Sequence, residues 1–148
     1  MNKKSILKKT KKWVKTRMMA DTTGHDWWHV HRVRNIALTI GKKEKSDLFI
    51  VEMAALLHDI ADWKLGKENE NTKAVKTFLS KQEINDKEIN LILSIIKNIS
   101  FKGAKVKSGL KTIEGKVVQD ADRLDAIGAI GIARAFTYGG SKSRPMWE

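Results

Sequence analysis

Apolar residues recur at intervals of three and four along most of the chain, which is the spacing of amphipathic helices. The first such stretch covers residues 1–20, where Ile6, Trp13 and Val14 fall on one face and lysines occupy the other. The polar and glycine-containing residues 21–24 interrupt the pattern. The sequence therefore predicts a basic N-terminal helix that ends near residue 20.

Helix-capping residues mark where the next two helices begin. Asp26 is a typical N-cap, and the helix after it is predicted to end at Gly41. Ser46 or Asp47 is predicted to cap a third helix. Further helices are predicted over residues 70–80, 85–99 and 110–136, with loops over residues 62–69 and 100–109.

No stretch of the chain shows the strict alternation of apolar and polar residues that is typical of a β-strand. The last predicted helix contains Gly128 and Gly131, which we interpret as sites of close helix approach rather than as breaks. The sequence also lacks internal repeats and proline-rich linkers. We therefore expect an all-α bundle of about six or seven helices that forms one domain over residues 1–148.

Composition narrows the chemistry that the chain can carry. The 148 residues include no cysteine, so a disulfide scaffold, a thiolate metal site and a cysteine nucleophile are excluded. Any metal must be held by His, Asp or Glu. Neither an apolar run of roughly 20 residues nor a secretory signal is present, so we expect no membrane span and a cytoplasmic location.

Positive charge is concentrated at one end of the chain. The formal net charge is +12, and residues 1–20 hold eight basic side chains and no acidic one. These lysines could be the solvated face of a packed helix, or they could contact nucleic acid or an anionic membrane. They could also attract an anionic substrate through their electrostatic field. The apolar stripe favours the packed helix, so nucleic acid is not an expected partner.

Histidines and acids are grouped in three segments with apolar surroundings. An unpaired buried charge costs several kcal/mol, so such groups need a partner. A divalent cation is one explanation, and hydrogen bonding within the core is another. The residues concerned are His25, His29 and His31 in the first segment, His58 and Asp59 in the second, and Asp120, Asp122 and Asp125 in the third.

These segments resemble the H…HD…D signature of the HD superfamily of metal-dependent phosphohydrolases. Their sequences are HDWWHVHRV over residues 25–33, ALLHDIAD over 55–62 and DADRLDAIGA over 120–129. The resemblance covers most of the chain and is strongest to a small bacterial subgroup, some members of which act on nucleoside triphosphates. It implies an HD-type helical bundle.

The resemblance also implies a ligand set for one divalent metal ion. His29, His58, Asp59 and Asp122 would hold the ion, with Asp120 as a competing candidate for the fourth position. A ligand set of two histidines and two aspartates accepts Mn, Mg, Co, Ni, Fe or Zn. The implied activity is hydrolysis of a phosphomonoester or phosphoanhydride of a nucleotide, as a pyrophosphohydrolase or a nucleotidase.

Three residues near the motifs are candidates for catalysis. Related phosphatases carry an acid at the position of Asp62 that orients or deprotonates the attacking water. The alternative is a carboxylate that supports the metal ligands or caps a helix. His25 and Asp26 would contact phosphate or the leaving group. Their alternatives are a surface residue for His25 and a helix cap for Asp26.

Three cations near the motifs are candidates for binding substrate phosphates. They are Arg32, Lys64 and Arg123. Arg32 lies about one helical turn after His29, so it could reach the same cleft. A salt bridge from Arg32 to Asp125 is the alternative.

The resemblance is incomplete at the C-terminus, because members of the subgroup usually continue past residues 138–140 with further helices. We therefore expect either a naturally short protein or a fragment. Exposed apolar residues between Ile127 and Phe136 would favour self-association, such as a homodimer. A truncated or degenerate HD domain that binds metal or nucleotide without turnover, and a basic nucleic-acid-binding protein, are the alternative functions.

Overall fold

The structure, a computed structural model, describes residues 2–60, 68–99 and 109–147. These ranges contain seven α-helices and no β-strand. The all-α prediction of six or seven helices is therefore confirmed. The helices are α1 (Lys3–Met18), α2 (Trp27–Lys43), α3 (Leu48–Leu57), α4 (Glu68–Ser80), α5 (Asp86–Ile99), α6 (Ile113–Asp125) and α7 (Gly128–Ser141).

Aspartates cap both helices for which an N-cap was predicted. The carboxylate of Asp26 accepts a hydrogen bond from the backbone N–H of His29, at 2.8 Å. Of the two candidates for α3, Asp47 is the cap, and it accepts from the N–H groups of Phe49 and Ile50. Each cap satisfies amide donors that have no partner within the helix.

The predicted end of α2 at Gly41 is wrong, because the helix continues to Lys43. The left-handed residue that ends it is Lys45, with φ of 54°. The N–H of Ser46 then reaches back to the carbonyl of Gly41, at 3.1 Å. A Cβ at position 41 would lie 2.9 Å from Ser46 Oγ, so this glycine allows the close approach of the turn.

The predicted continuous helix over residues 110–136 is also wrong. α6 ends at Asp125, and α7 begins at Gly128, whose φ of +67° favours glycine and breaks the helix. Gly131 does mark a close approach, because a Cβ there would lie 2.2 Å from the carbonyl oxygen of Ala126. That approach is to the preceding turn rather than to another helix.

The two predicted loops lie mostly outside the described residues. Of the loop predicted over residues 62–69, the structure describes only the last two residues, which belong to α4. Of the loop predicted over residues 100–109, only Gly109 is described, and it is not helical.

Helices α1 to α6 all contribute to one cluster of buried apolar residues. α3 runs through its centre, since eight of its ten residues are buried. α2 packs against both α3 and α6, which brings the termini of these helices together. α1 turns Ile6, Val14 and Met18 inward and leaves its lysines exposed.

Helix α7 has no buried residue and packs against α6. Its apolar side is exposed, as expected from the sequence. Ile132 and Phe136 are 62% and 53% exposed, respectively. In the part of the chain that the structure describes, no helix is both long and apolar enough to cross a membrane.

Candidate metal centre

Three helices deliver the four predicted metal ligands to one place. His29 lies in the first turn of α2, and His58 and Asp59 directly follow the end of α3. Asp122 lies in the last turn of α6. α2, α3 and α6 all pack against one another, and these segments meet at one end of the bundle.

The ligand atoms of these residues converge closely. Nε2 of His29 lies 3.3 Å from Nε2 of His58, 3.2 Å from Oδ2 of Asp59 and 3.4 Å from Oδ1 of Asp122. Nε2 of His58 lies 3.3 Å from Oδ1 of Asp59 and 3.8 Å from Oδ1 of Asp122. The ligand atoms form two overlapping groups that share His29, one with His58 and Asp122 and the other with His25 and Asp59, and the atoms within each group lie within 4.8 Å of one another.

Hydrogen bonds on the far side of each ring aim both histidines at this centre. Nδ1 of His58 donates to the carbonyl oxygen of Ala55 at 2.8 Å. Nδ1 of His29 lies 2.7 Å from Oδ2 of Asp125 and donates to it. With Nδ1 of each ring engaged in this way, Nε2 is the nitrogen that remains for a ligand. The residues present thus fit a divalent cation, since nitrogen and carboxylate donors suit such ions.

The electrostatics of the cluster favour a positive charge. Burial lowers the pKa of His29, but hydrogen bonds to Asp122, Asp125 and Asp59 outweigh it and raise this pKa to about 10. Burial raises the pKa of Asp59, yet the neighbouring histidines His58, His25 and His29 bring it well below its usual value. A proton on His29 offsets the carboxylate charge that a cation would otherwise neutralise.

The centre is accessible from one side. His29, His58 and Asp59 are buried, whereas the side chain of Asp122 is 29% exposed. A cavity of about 510 Å³ adjoins the cluster and includes His25 in its wall. Asp122 is therefore the most solvent-exposed of the four residues, and His25 connects the cluster to the cavity.

His25 reaches the cluster from outside the helix. α2 begins at Trp27, so His25 does not share a helix face with His29. Its Nδ1 nevertheless lies 3.1 Å from Oδ2 of Asp59. Its ring stands edge-on to those of His29 and Tyr138. Since its side chain is 19% exposed, His25 lies at the rim between the cluster and the cavity.

The other predicted catalytic and substrate-binding residues that the structure describes are placed less centrally. Asp26 caps α2, which was the alternative considered for it. Asp62 and Lys64 lie outside the described residues. Arg123 is exposed on α6. Asp120, the competing ligand candidate, is exposed and lies outside the groups of side chains that could hold a metal among the described residues.

Arg32 forms the salt bridge that was the alternative to substrate binding. Its Nε donates to Oδ1 of Asp125 at 2.7 Å, and its Nη2 donates to Oδ2 at 3.0 Å. This bidentate geometry engages the guanidinium group with a buried carboxylate.

Sequence reasoning missed Arg134 and the contact between Asp125 and His29. Arg134 Nη1 lies 3.3 Å from Oδ2 of Asp125, and its Nε donates to the carbonyl oxygen of Gly24 at 2.7 Å. One signal was available for Asp125, which lies one turn after Asp122 in an apolar context. Arg134 gave none, because its position depends on the turn between α6 and α7.

Comparisons with known proteins agree with this geometry. The family model described as HD domain matches residues 27–127. The YpgQ protein of Bacillus subtilis is 44% identical over 91% of this chain and 67% of its own length. Its crystal structure in complex with ADP matches with a TM-score of 0.78 at 42% identity, covering 96% of this chain and 72% of that one.

A second similar structure is named as a hydrolase. An HD-superfamily hydrolase from Bacillus thuringiensis is 44% identical with a TM-score of 0.76, covering 99% of this chain and 71% of that one. A protein of Acanthamoeba polyphaga mimivirus is 31% identical over 86% of this chain and 58% of its own length. The chain therefore spans roughly three fifths to three quarters of these relatives.

The fold and the cluster of histidines and aspartates define an HD-type protein. This chain belongs to the HD domain family, whose members include proteins named HD-superfamily hydrolases.

Proposed function

We propose that this chain is a metal-dependent phosphohydrolase that cleaves a phosphomonoester or phosphoanhydride of a nucleotide. The observation that carries the proposal is the approach of His58, Asp59 and Asp122 to within 3.4 Å of Nε2 of His29, with His25 linking this cluster to a cavity. Membership of the HD domain family supports the same class of reaction.

His29 and His58 supply neutral nitrogen ligands, and Asp59 and Asp122 supply the negative charge that holds a cation. When bound, a divalent cation lowers the pKa of water and stabilises the charge that develops on phosphorus. Asp122 is the most exposed of the four ligands, so the substrate phosphate approaches from its side. The native metal is one of Mn, Mg, Co, Ni, Fe and Zn.

His25 is the described residue best placed to move a proton. Its Nδ1–H donates to Asp59. Nε2 is then the nitrogen that can exchange a proton with the leaving group at the rim of the cavity. Asp62 is proposed to orient the attacking water, and Lys64 and Arg123 to bind substrate phosphates. Arg32 is assigned a structural role because it donates to Asp125. Asp26 is assigned to the cap of α2 because it accepts from the backbone N–H of His29.

A nucleotide is the proposed substrate because the YpgQ structure, at 42% identity, is a complex with ADP. The net charge of +12 also favours encounter with anionic molecules. Whether orthophosphate or pyrophosphate leaves depends on which phosphorus atom lies at the centre.

The test is a panel of nucleoside mono-, di- and triphosphates, incubated with Mn²⁺, Mg²⁺, Co²⁺ and Ni²⁺ in turn. Orthophosphate and pyrophosphate are assayed separately, with and without chelator. We expect turnover that the chelator abolishes and that Asp59→Asn removes, while Asp120→Asn on the exposed side of α6 retains it. Metal and nucleotide binding without any turnover would support a binding domain instead, and turnover that survives Asp59→Asn contradicts the proposal.

A further inference from the structure

The carboxylate of Asp125 lies on the side of the His29 ring that faces away from the cluster. It contacts Nδ1 at 2.7 Å, whereas the ligand atoms of His58, Asp59 and Asp122 lie within 3.4 Å of Nε2. We infer that Asp125 is a positioning residue, which fixes the orientation and the Nδ1–H tautomer of His29 for the metal centre. This inference rests on the proposed function.

Asp125 is itself held rigidly. Its side chain is only 2% exposed, and each carboxylate oxygen accepts from Arg32. Arg134 adds a third charge-assisted contact, at 3.3 Å to Oδ2. A buried carboxylate held by two guanidinium groups has little freedom to rotate. His29 therefore has an acceptor in one fixed position.

The same network reaches the rim of the site. Arg134 also donates to the carbonyl oxygen of Gly24, the residue that precedes His25. Asp125 thereby connects three parts of the chain, which are α2, α7 and the segment before α2. A substitution of Asp125 is expected to affect the orientation of the His29 ring more than the position of His25, because Asp125 contacts His29 directly.

The two histidines differ in what holds Nδ1 of the ring. The Nδ1 of His58 is held by a backbone carbonyl, that of Ala55, which no substitution of a side chain removes. The aim of His29 depends on a side chain instead. Replacing a carboxylate that supports a metal-binding histidine typically weakens metal affinity by about 10- to 100-fold.

The test compares Asp125→Asn with wild type and with the matched control Asp120→Asn, an exposed carboxylate on the same helix. Mn²⁺ affinity is measured by calorimetry, and the visible absorption spectrum of the Co²⁺-loaded protein reports the geometry around the ion. We expect Asp125→Asn to weaken Mn²⁺ binding by about 10- to 100-fold and to change the Co²⁺ spectrum. Asp120→Asn should change neither.

A second measurement needs no metal. The chain has four histidines, so the NMR spectrum of ¹⁵N-histidine-labelled protein contains few ring signals. The ring protons of His29 are those whose signals are missing from the His29→Gln variant. In wild type we expect a strongly downfield Nδ1–H resonance, which Asp125→Ala removes while Asp120→Asn keeps it. The isosteric Asp125→Asn serves if Asp125→Ala does not fold, because its weaker acceptor shifts the same resonance upfield.

The outcomes separate the two proposals. Equal Mn²⁺ affinity in wild type and Asp125→Asn, or an unchanged His29 resonance in Asp125→Ala, overturns the positioning role and leaves the hydrolase proposal standing. A wild-type protein that binds no divalent metal overturns the hydrolase proposal. The NMR result then decides whether Asp125 still orients His29, since it is recorded on the metal-free protein.

Discussion

His29 and His58 point their Nε2 atoms at each other across 3.3 Å, although 29 residues separate them along the chain. Each ring is anchored on its opposite side through Nδ1, to Asp125 and to the Ala55 carbonyl, respectively. Two ring nitrogens at this distance, with carboxylates on either side, need a positive charge between them. The raised pKa of His29 supplies this charge as a proton in the metal-free protein, and a divalent cation would supply it in the proposed enzyme.

Metal binding should therefore release a proton. The pKa of His29 is raised from 6.5 to about 10, so between these values the metal-free protein carries a proton that its unfolded form lacks. That proton stabilises the metal-free fold fully below pH 6.5, and the contribution is lost as pH rises through about 10. Because a metal must displace it, affinity should rise about tenfold per pH unit from pH 7 to 9.

Calorimetry of Mn²⁺ binding at pH 8, in buffers that differ in ionisation enthalpy, measures this proton directly. We expect close to one proton released per ion. An affinity that does not change with pH would contradict the raised pKa of His29.

His58→Ala should abolish metal-dependent behaviour while leaving a folded chain. The variant removes one nitrogen ligand, and we expect Mn²⁺ affinity and turnover to fall by more than about 100-fold. The rise in melting temperature that Mn²⁺ gives wild type should disappear with it. His31→Ala is the matched control, because His31 packs beside Trp27 and Trp28 instead. Loss of the metal response in both variants would show that histidine removal acts through folding.

Asp26 offers a direct distinction between a helix cap and a catalytic group. Serine caps helices about as well as aspartate, whereas alanine does not. We expect Asp26→Ser to keep turnover within a few-fold, and Asp26→Ala to lower the free energy of unfolding by about 1 kcal/mol. Urea unfolding and steady-state rates measure the two effects. A stable Asp26→Ser variant with no turnover would assign Asp26 to the reaction.

Asp125 should stabilise the fold in a pH-dependent way. Burial raises its pKa, but hydrogen bonds to His29 and Arg32 outweigh this and lower it from 3.8 to about 2. The contribution is present above pH 3.8 and is lost as pH falls through about 2. The stability difference between wild type and Asp125→Asn should therefore shrink by about 2 kcal/mol between pH 5 and pH 2.

Urea unfolding in chelator at several pH values measures this difference. A difference between wild type and Asp125→Asn that is constant over this range would mean that Asp125 is not held as an ion by its partners.

The sequence predicted the four ligand residues of the site better than the side chains that hold those ligands in place. The cost of an unpaired buried charge marks the segments that hold His29, His58 and Asp59, and the resemblance to the HD superfamily selects these residues as ligands. The burial cost does not distinguish Asp120 from Asp122; the resemblance favours Asp122, and the helical phase of α6 against α2 separates the two. Helix α6 turns Asp122 toward the cluster and Asp120 toward solvent.

The contacts around Asp125 depend on a turn that hydrophobic spacing does not reveal. Gly128 was interpreted as a packing glycine, but its positive φ ends one helix and redirects the next. Without that change of direction, Arg134 would not reach Asp125 or Gly24. Local periodicity thus identified helices and buried faces, while the turn conformation determined which side chains meet.

The central claim is that one cation lies between His29, His58, Asp59 and Asp122. Anomalous diffraction at the manganese edge, from crystals grown with saturating Mn²⁺, tests it most directly. We predict a single strong peak bounded by Nε2 of both histidines and by the two carboxylates. No peak at this position, or a peak held by other residues, would contradict the claim.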